Sequence, residues 1–196
     1  MMSPRFVIRD GDVQKPMNER ATVRCLLAGG VVAIPTEGVW GLSASTAHLH
    51  AVQRILDVKR RAANKGLIVL VSEWSMVDQW IDPTWSRDWP IETGRPATWV
   101  VPVSASCPAI LTGGRQTLAV RRVTMRSLSR VVEQTGPLVS TSANRSGRPS
   151  SVSRYQVVLD FARTVDYIAT GRTGGYQGPS MIKDLVTGQV LRGGHA

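Results

Sequence analysis

Three polar patches in this chain carry residue types that could do chemistry, and each borders an apolar run. Lys59, Arg60, Arg61 and Lys65 place four cations within seven residues, directly before LIVLV, with no acid among them. LVSTSANRSG ends an apolar run in hydroxyls and amides: Ser140, Thr141, Ser142, Asn144 and Ser146. In IPTEGVWG, Thr36 and Glu37 follow another apolar run, and Gly38 and Gly41 let a backbone approach closely. Each patch alone also suits a structural role: a turn, a hydroxyl cap, or cations at the negative end of a helix dipole. Together, cations and neutral donors at the ends of buried strands make a cradle for phosphate in an open α/β sheet.

The charge balance points the same way. The 196 residues hold 24 Lys and Arg against 14 Asp and Glu, a net charge of +10, and 20 of the 24 bases are Arg. Between Gly94 and Leu159 there are nine Arg and one acid, Glu133. The planar guanidinium fork suits phosphate and carboxylate, so nucleotides or nucleic acids are the expected partners. If Arg122, Arg126, Arg130, Arg145, Arg148 and Arg154 form one outer face, tRNA or double-stranded RNA is its expected partner, and a solvated basic face is the alternative.

Several classes find no support. Neither a Walker A motif nor a GxGxxG following a strand is present: GLSAST lacks the lysine, and TGGRQT lacks the spacing. His48 and His50 lie two apart on an expected helix and His195 is in the tail, so no protein-bound metal is expected; Mg2+ would arrive on phosphates. Cys25 and Cys107 make no metal-ligand spacing and are expected as reduced thiols. With no apolar run near 18 residues and no signal-peptide pattern, a cytoplasmic protein is expected.

These patches need elements to hold them. GGVVAIPTE reads as a buried strand stopped by Pro35, and Thr46–Val58 as a helix with Thr46 as N-cap. LIVLV, ATWVVPV, TLAVRRV and LVSTSA read as four more strands, and DYIAT, SMIKDLV and QVLR as closing ones. Helices are expected over Thr124–Gln134 and Ser151–Arg163, and two short ones broken at Pro83. Trp74, Trp80, Trp85 and Trp89 are expected to pack rather than to stack on a base. The expectation is a single α/β domain over residues 1–196, a twisted mixed parallel and antiparallel sheet flanked by helices, with an open basic cleft.

In order and spacing, IPTEGVWGL, KRRAANKGLIVLV, TLAVR, STSANRSG, PSMIKDL and VLRGG resemble the YrdC/TsaC family, the threonylcarbamoyl-AMP synthases, over nearly the whole chain in its short, single-domain form. The resemblance implies a nucleotidyltransferase that joins L-threonine, bicarbonate or CO2, and ATP into threonylcarbamoyl-AMP and pyrophosphate. Its product would pass to downstream transfer proteins that make N6-threonylcarbamoyladenosine in tRNA. By motif, the resemblance puts Lys59, Arg61, Ser142 and Asn144 on the ATP phosphates as the catalytic set. Thr117, Ser140 and Arg192 would line the rest of the nucleotide, and Thr36, Lys65, Arg121 and Ser180 would hold threonine. Lys59 and Arg61 are expected to be solvated in the free cleft. The sequence departs from the family pattern at Ala62 after K-x-R, Gly38 and Trp40 in the first motif, Met181 in the late motif, and GRPAT; Gly38 and Met181 fall near the expected threonine pocket and put amino-acid specificity in question. The competing reading is a non-catalytic RNA-binding protein on the same fold. A carbamoyl-transfer domain of hydrogenase maturation proteins ranks below both, because the chain lacks their accompanying segments.

Overall fold

A computed structural model describes residues 16–62, 64–85, 89–90, 97–145 and 147–193. Nine strands among them form one sheet, and the helices lie on both of its faces. A first helix, α1 (Glu19–Leu27), starts at Asn18, whose side chain accepts from the Ala21 N–H. It leads into a buried hairpin, β1 (Val32–Pro35) and β2 (Trp40–Ser45), in which Pro35 lies opposite Trp40. Next come α2 (Leu49–Lys59), β3 (Ile68–Val71) and a 3-10 helix (Trp74–Trp80). The antiparallel pair β4 (Thr98–Pro102) and β5 (Thr117–Arg122) is joined through a short α3 (Ala109–Thr112). The remainder is α4 (Arg126–Thr135), β6 (Leu138–Ser142), α5 (Arg154–Phe161), β7 (Tyr167–Ile168), β8 (Ile182–Asp184) and β9 (Val190–Arg192).

Spatial order is β7-β1-β2-β6-β3-β5-β4-β8-β9. Three of its pairs (β1/β7, β3/β5, β4/β8) are parallel and the others antiparallel, as expected of a mixed sheet. Strand alternation divides the core between the two faces. Val32, Ile34, Leu70 and Leu138 pack under α1 and α4, against Leu26, Leu128 and Val132. Ala33, Leu42, Val69, Val71 and Val120 face the other way, with Val52 and Ile55 of α2, Val77 of the 3-10 helix, and Val157 and Phe161 of α5.

Several expected elements differ. Thr46 does not cap α2: its hydroxyl donates to the Pro137 carbonyl at 3.0 Å, tying the end of β2 to β6, and the helix begins three residues later behind His48. The helix expected from Thr124 starts at Arg126, because Met125 is extended (ψ 113°); the N–H groups of Thr124 and Met125 donate to the Glu37 carboxylate. The helix expected over Ser151–Arg163 is Arg154–Phe161, with the Ser153 hydroxyl accepting from the Gln156 N–H. One 3-10 helix replaces the two expected around Pro83; residues 83–85 form a turn, and the rest of the second lies partly outside the described residues. Trp74, Trp80, Trp85 and Trp89 pack against the core, Trp74 stacking on Trp89 at 4.3 Å. His48 and His50 meet edge to face at 5.7 Å, His195 lies outside the described residues, and both cysteines are free.

Candidate functional site

The end of α2 sets the first part of the site. Arg60 adopts a left-handed conformation (φ 45°), the one non-glycine to do so among the described residues. Its N–H bonds to Asp57 O and that of Arg61 to Leu56 O, the paired bonds of a Schellman cap. The K-x-R motif therefore straddles a helix stop: Lys59 is the last helical residue, and Arg61 leaves in a new direction.

Lys59 is not solvated as expected. Its Nζ donates to Ser142 O at 2.8 Å, to Asn144 Oδ1 at 2.8 Å and to Asn144 O, clamping α2 to the loop after β6. Burial, and then the charge of Arg61, lower its pKa to about 8. The Ser142 hydroxyl donates to the same Asn144 Oδ1, and Asn144 Nδ2 donates to the carbonyls of Arg145 and Arg148. The two motifs thus form one hydrogen-bonded unit. Arg61 is also engaged: its Nε and Nη2 donate to Lys65 O at 3.0 and 2.8 Å, and Nη2 also to Gly66 O.

The rest of the site stands on a face of the sheet rather than at the strand ends expected from sequence. Residues directly opposite in a ladder point the same way, as do i and i+2 along a strand. The register aligns Ser43, Ser140, Ile68, Ala119 and Val100. Gly41, Ser142, Thr117 and Arg121 therefore project from that same face. It is the face that α1 and α4 cover at Leu70 and Leu138, and from Ile68 onward it opens.

Three adjoining hollows occupy the open part, and Arg61 lines all three. The first contains Thr36, Gly41, Arg121, Ser140, Ser180 and Arg192. A second, of about 350 Å³, has apolar walls from Val100, Leu111, Ile182 and Leu191, with Thr117, Arg115 and Arg192 at its polar side. The third is the polar corner of Lys59, Lys65, Ser142 and Asn144. All eleven residues singled out from sequence line at least one hollow. Two are placed differently from expectation. Lys65 is exposed and lines the second and third hollows, not the first with Thr36. Ser140, expected on the nucleotide side, lines the first beside Arg121.

Hydrogen bonds order the first hollow. Thr36 Oγ1 donates to Val39 O at 2.7 Å, the Ser180 and Thr98 hydroxyls share a 2.7 Å bond, and Arg192 Nη2 donates to Ser180 O. Gly41 lies close under Ser140, whose Oγ a Cβ there would approach to 2.7 Å. Gly38 is closed from behind: a Cβ would lie 2.1 Å from Gly178 O, so this departure admits backbone and does not widen the hollow. Neither Gly38 nor Met181 lines it.

The guanidiniums form a mutually repelling row. Burial and then Arg115 lower the Arg61 pKa; burial, then Arg121, then Arg61 lower that of Arg192. Sequence reasoning passed over Arg115 and the role of Glu37, whose carboxylate faces Arg121 at 3.1 Å. The adjacency of Glu37 to Thr36 was the available signal. The outer arginines do not form one free face. Arg154 is buried with Nε donating to Ala169 O, Arg130 pairs with Glu19, and Arg145 pairs with Asp160; Arg126 and Arg148 are exposed. No group of His, Cys, Asp and Glu that could hold a metal occurs among the described residues, and no helix there is long and apolar enough to cross a membrane.

The Sua5–YciO–YrdC family model, described as "Telomere recombination", matches residues 24–194. A threonylcarbamoyl-AMP synthase of Pseudomonas aeruginosa PAO1 is 39% identical over 181 residues, 88% of this chain and 95% of its own length. Another from Nitrosococcus oceani is 41% identical over 182 residues, covering 88% and 96%. Among solved structures, P. abyssi Sua5 complexed with L-threonine superposes with a TM-score of 0.78 at 30% identity; the match covers 90% of this chain but 54% of that one, about half its length. E. coli YciO shares the fold, with a TM-score of 0.75 at 22% identity and 90% of both chains covered.

Proposed function

The chain belongs to the Sua5–YciO–YrdC family, and on that premise we propose that it is a threonylcarbamoyl-AMP synthase, a nucleotidyltransferase that joins L-threonine, bicarbonate or CO2, and ATP into threonylcarbamoyl-AMP and pyrophosphate. One observation carries the reading: a hollow lined by Arg121 and the hydroxyls of Thr36, Ser140 and Ser180, a hollow with apolar walls, and a polar corner of cations and amides meet at a single arginine, Arg61. The product has a carbamate oxygen on the α-phosphate. The bond from that oxygen to phosphorus forms as the bond to pyrophosphate breaks, so negative charge gathers on the leaving phosphates.

The residues suit that redistribution. Thr36, Arg121, Ser140 and Ser180 hold L-threonine in the first hollow, with the Arg121 fork on its carboxylate. Thr117, with the aliphatic walls of the second hollow, takes the nucleoside, and Arg192 spans the two substrates. Lys59, Arg61, Ser142 and Asn144 receive the phosphates, and Lys65 and Arg115 stand at the rim. An anion entering the arginine row relieves its repulsion, so the site is preorganised for charge that ATP and the departing pyrophosphate supply. Mg2+ travels with the ATP phosphates as part of the substrate. The adenylate then passes to transfer proteins that modify tRNA in the cytoplasm.

The test is pyrophosphate release from ATP by the purified chain, with L-threonine and bicarbonate omitted in turn. The reading expects release only when both are present. Release independent of threonine, or none at all, would remove it.

A further inference from the structure

Thr36 lines the first hollow, but the residue after it points away from solvent and into the protein. Glu37 is 4% exposed and Arg121 7% exposed, and Arg121 Nη2 lies 3.1 Å from Glu37 Oε2. The other oxygen, Glu37 Oε1, accepts from the Thr124 N–H at 2.9 Å and the Met125 N–H at 3.4 Å, at the start of α4. The Glu37 carbonyl in turn accepts from the Tyr176 N–H, in the segment that brings Pro179 and Ser180 over the hollow. One carboxylate thus joins the β1–β2 turn, the end of β5 and the start of α4, and it fixes the guanidinium that lines the hollow.

The arrangement leaves the guanidinium incompletely bonded. Arg121 Nε is buried without a hydrogen-bond partner, and Glu37 Oε2 has the ion pair but no hydrogen bond of good geometry. A buried N–H donor without an acceptor is costly unless a ligand supplies one. Arg121 also repels Arg192 across the same hollow. A counter-charge behind Arg121 offsets that repulsion and restrains its fork where Arg121 lines the hollow.

We propose that Glu37 is a positioning residue for amino-acid binding: by holding Arg121 from behind, it aims the guanidinium at the carboxylate of the incoming amino acid. This rests on the synthase reading, in which the first hollow takes L-threonine. Glu37 touches neither substrate. Its effect therefore belongs to threonine affinity, leaving ATP and the chemical step unchanged.

Glu37→Gln tests this, since the amide keeps an oxygen for Thr124 and Met125 and replaces the charged oxygen facing Arg121 with an NH2 that cannot accept from it. The expected result is a rise of roughly tenfold in KM for L-threonine, the scale of one charge-assisted hydrogen bond, with KM for ATP and kcat at saturating threonine essentially unchanged. Adding Glu37→Gln to Arg121→Lys should then raise that KM little further, because the two substitutions disrupt one contact. A threonine KM that is unchanged or lower overturns the proposal. So do effects that multiply fully in the double variant, or losses shared equally by both substrates alongside a lowered melting temperature. Should Glu37→Gln not fold, Glu37→Asp keeps the charge at shorter reach and carries the same comparison. Calorimetry with L-threonine alone separates the two levels of inference. Wild type that binds L-threonine but releases no pyrophosphate fails the synthase reading, and the variant titration still decides for or against Glu37; wild type that binds no L-threonine overturns both.

Discussion

Lys59 Nζ donates to Asn144 Oδ1 at 2.8 Å, bridging 85 positions of sequence and joining the last residue of α2 to the loop after β6. The contact makes the K-x-R and S-x-N segments one unit. It also means that an incoming phosphate meets an ammonium already shared among three oxygens, so phosphate binding at Lys59 is an exchange of partners.

Lys59→Ala should weaken ATP use by about 1.5 to 3 kcal/mol, the worth of a charge-assisted contact, and should also loosen the loop that carries Asn144. Steady-state KM for ATP and protease susceptibility near Asn144 check the two effects separately. Because burial and Arg61 hold the Lys59 pKa near 8, KM for ATP in the wild type should rise as pH passes through 8, and this inflection should be absent in Lys59→Ala. A profile flat to pH 9.5 would count against Lys59 as a phosphate ligand.

Stability should respond to the same group with the opposite sense. An ammonium whose pKa falls from 10.5 to about 8 on folding binds its proton more weakly in the native state than in the unfolded one. Between those values the unfolded chain carries more protons, so the Lys59 contribution to unfolding free energy increases with pH over that window. Below pH 8 the penalty for burying the charge is fully present. Urea unfolding of wild type and Lys59→Met at pH 7.5, 9 and 10 isolates the effect: the difference between the two should shift in favour of the wild type as pH rises.

Arg60 holds a left-handed backbone conformation that disfavours any side chain. Arg60→Gly should therefore stabilise the protein by about 1 kcal/mol, because the Schellman cap persists without the Cβ clash. Thermal unfolding reads the gain. A lower melting temperature would mean that the Arg60 side chain supplies more than its backbone strain removes.

Gly38 is required by space, not by its dihedral angle. A Cβ would lie 2.1 Å from Gly178 O, a backbone atom that cannot simply rotate away. Gly38→Ala should destabilise by about 1 to 3 kcal/mol, as overpacking does, and should raise KM for threonine by displacing the segment that carries Pro179 and Ser180. A variant with normal stability and threonine KM would show that this segment shifts freely.

RNA binding, where it occurs directly, should draw on Arg126 more than on Arg130, because Arg130 already pairs with Glu19 at 3.6 Å. Arg126→Ala should reduce the salt slope of tRNA binding by about 1, one phosphate contact's worth, while pyrophosphate release persists. Equal effects from Arg126→Ala and Arg130→Ala would show that the Glu19 pair does not hold in solution.

Strong local signals made much of this protein legible in its sequence. The runs LIVLV, TLAVRRV and LVSTSA became β3, β5 and β6, because each carries a cluster of aliphatic and β-branched residues dense enough to be recognised without its partners. The motif residues were visible by type and spacing. What escaped notice was locally weak: α1 begins at an ordinary Asn-Glu pair, and β2 is the small, polar-looking WGLSAS, which is a strand only because its neighbours bury it on both sides. Function depended most on the properties that sequence left open. Whether the site stood at the strand ends or on the sheet face depended on register, which aligned Ser140, Ile68 and Ala119 across three strands far apart in the chain. Whether Lys59 was free or clamped depended on how close α2 came to β6, and whether Arg121 had a carboxylate behind it depended on the turn after β1. Residue types and spacing along the chain determined which groups were available for phosphate and carboxylate chemistry. Only long-range packing decided which groups faced one another, because a distance of 2.8 Å between residues 85 positions apart is a property of the whole fold.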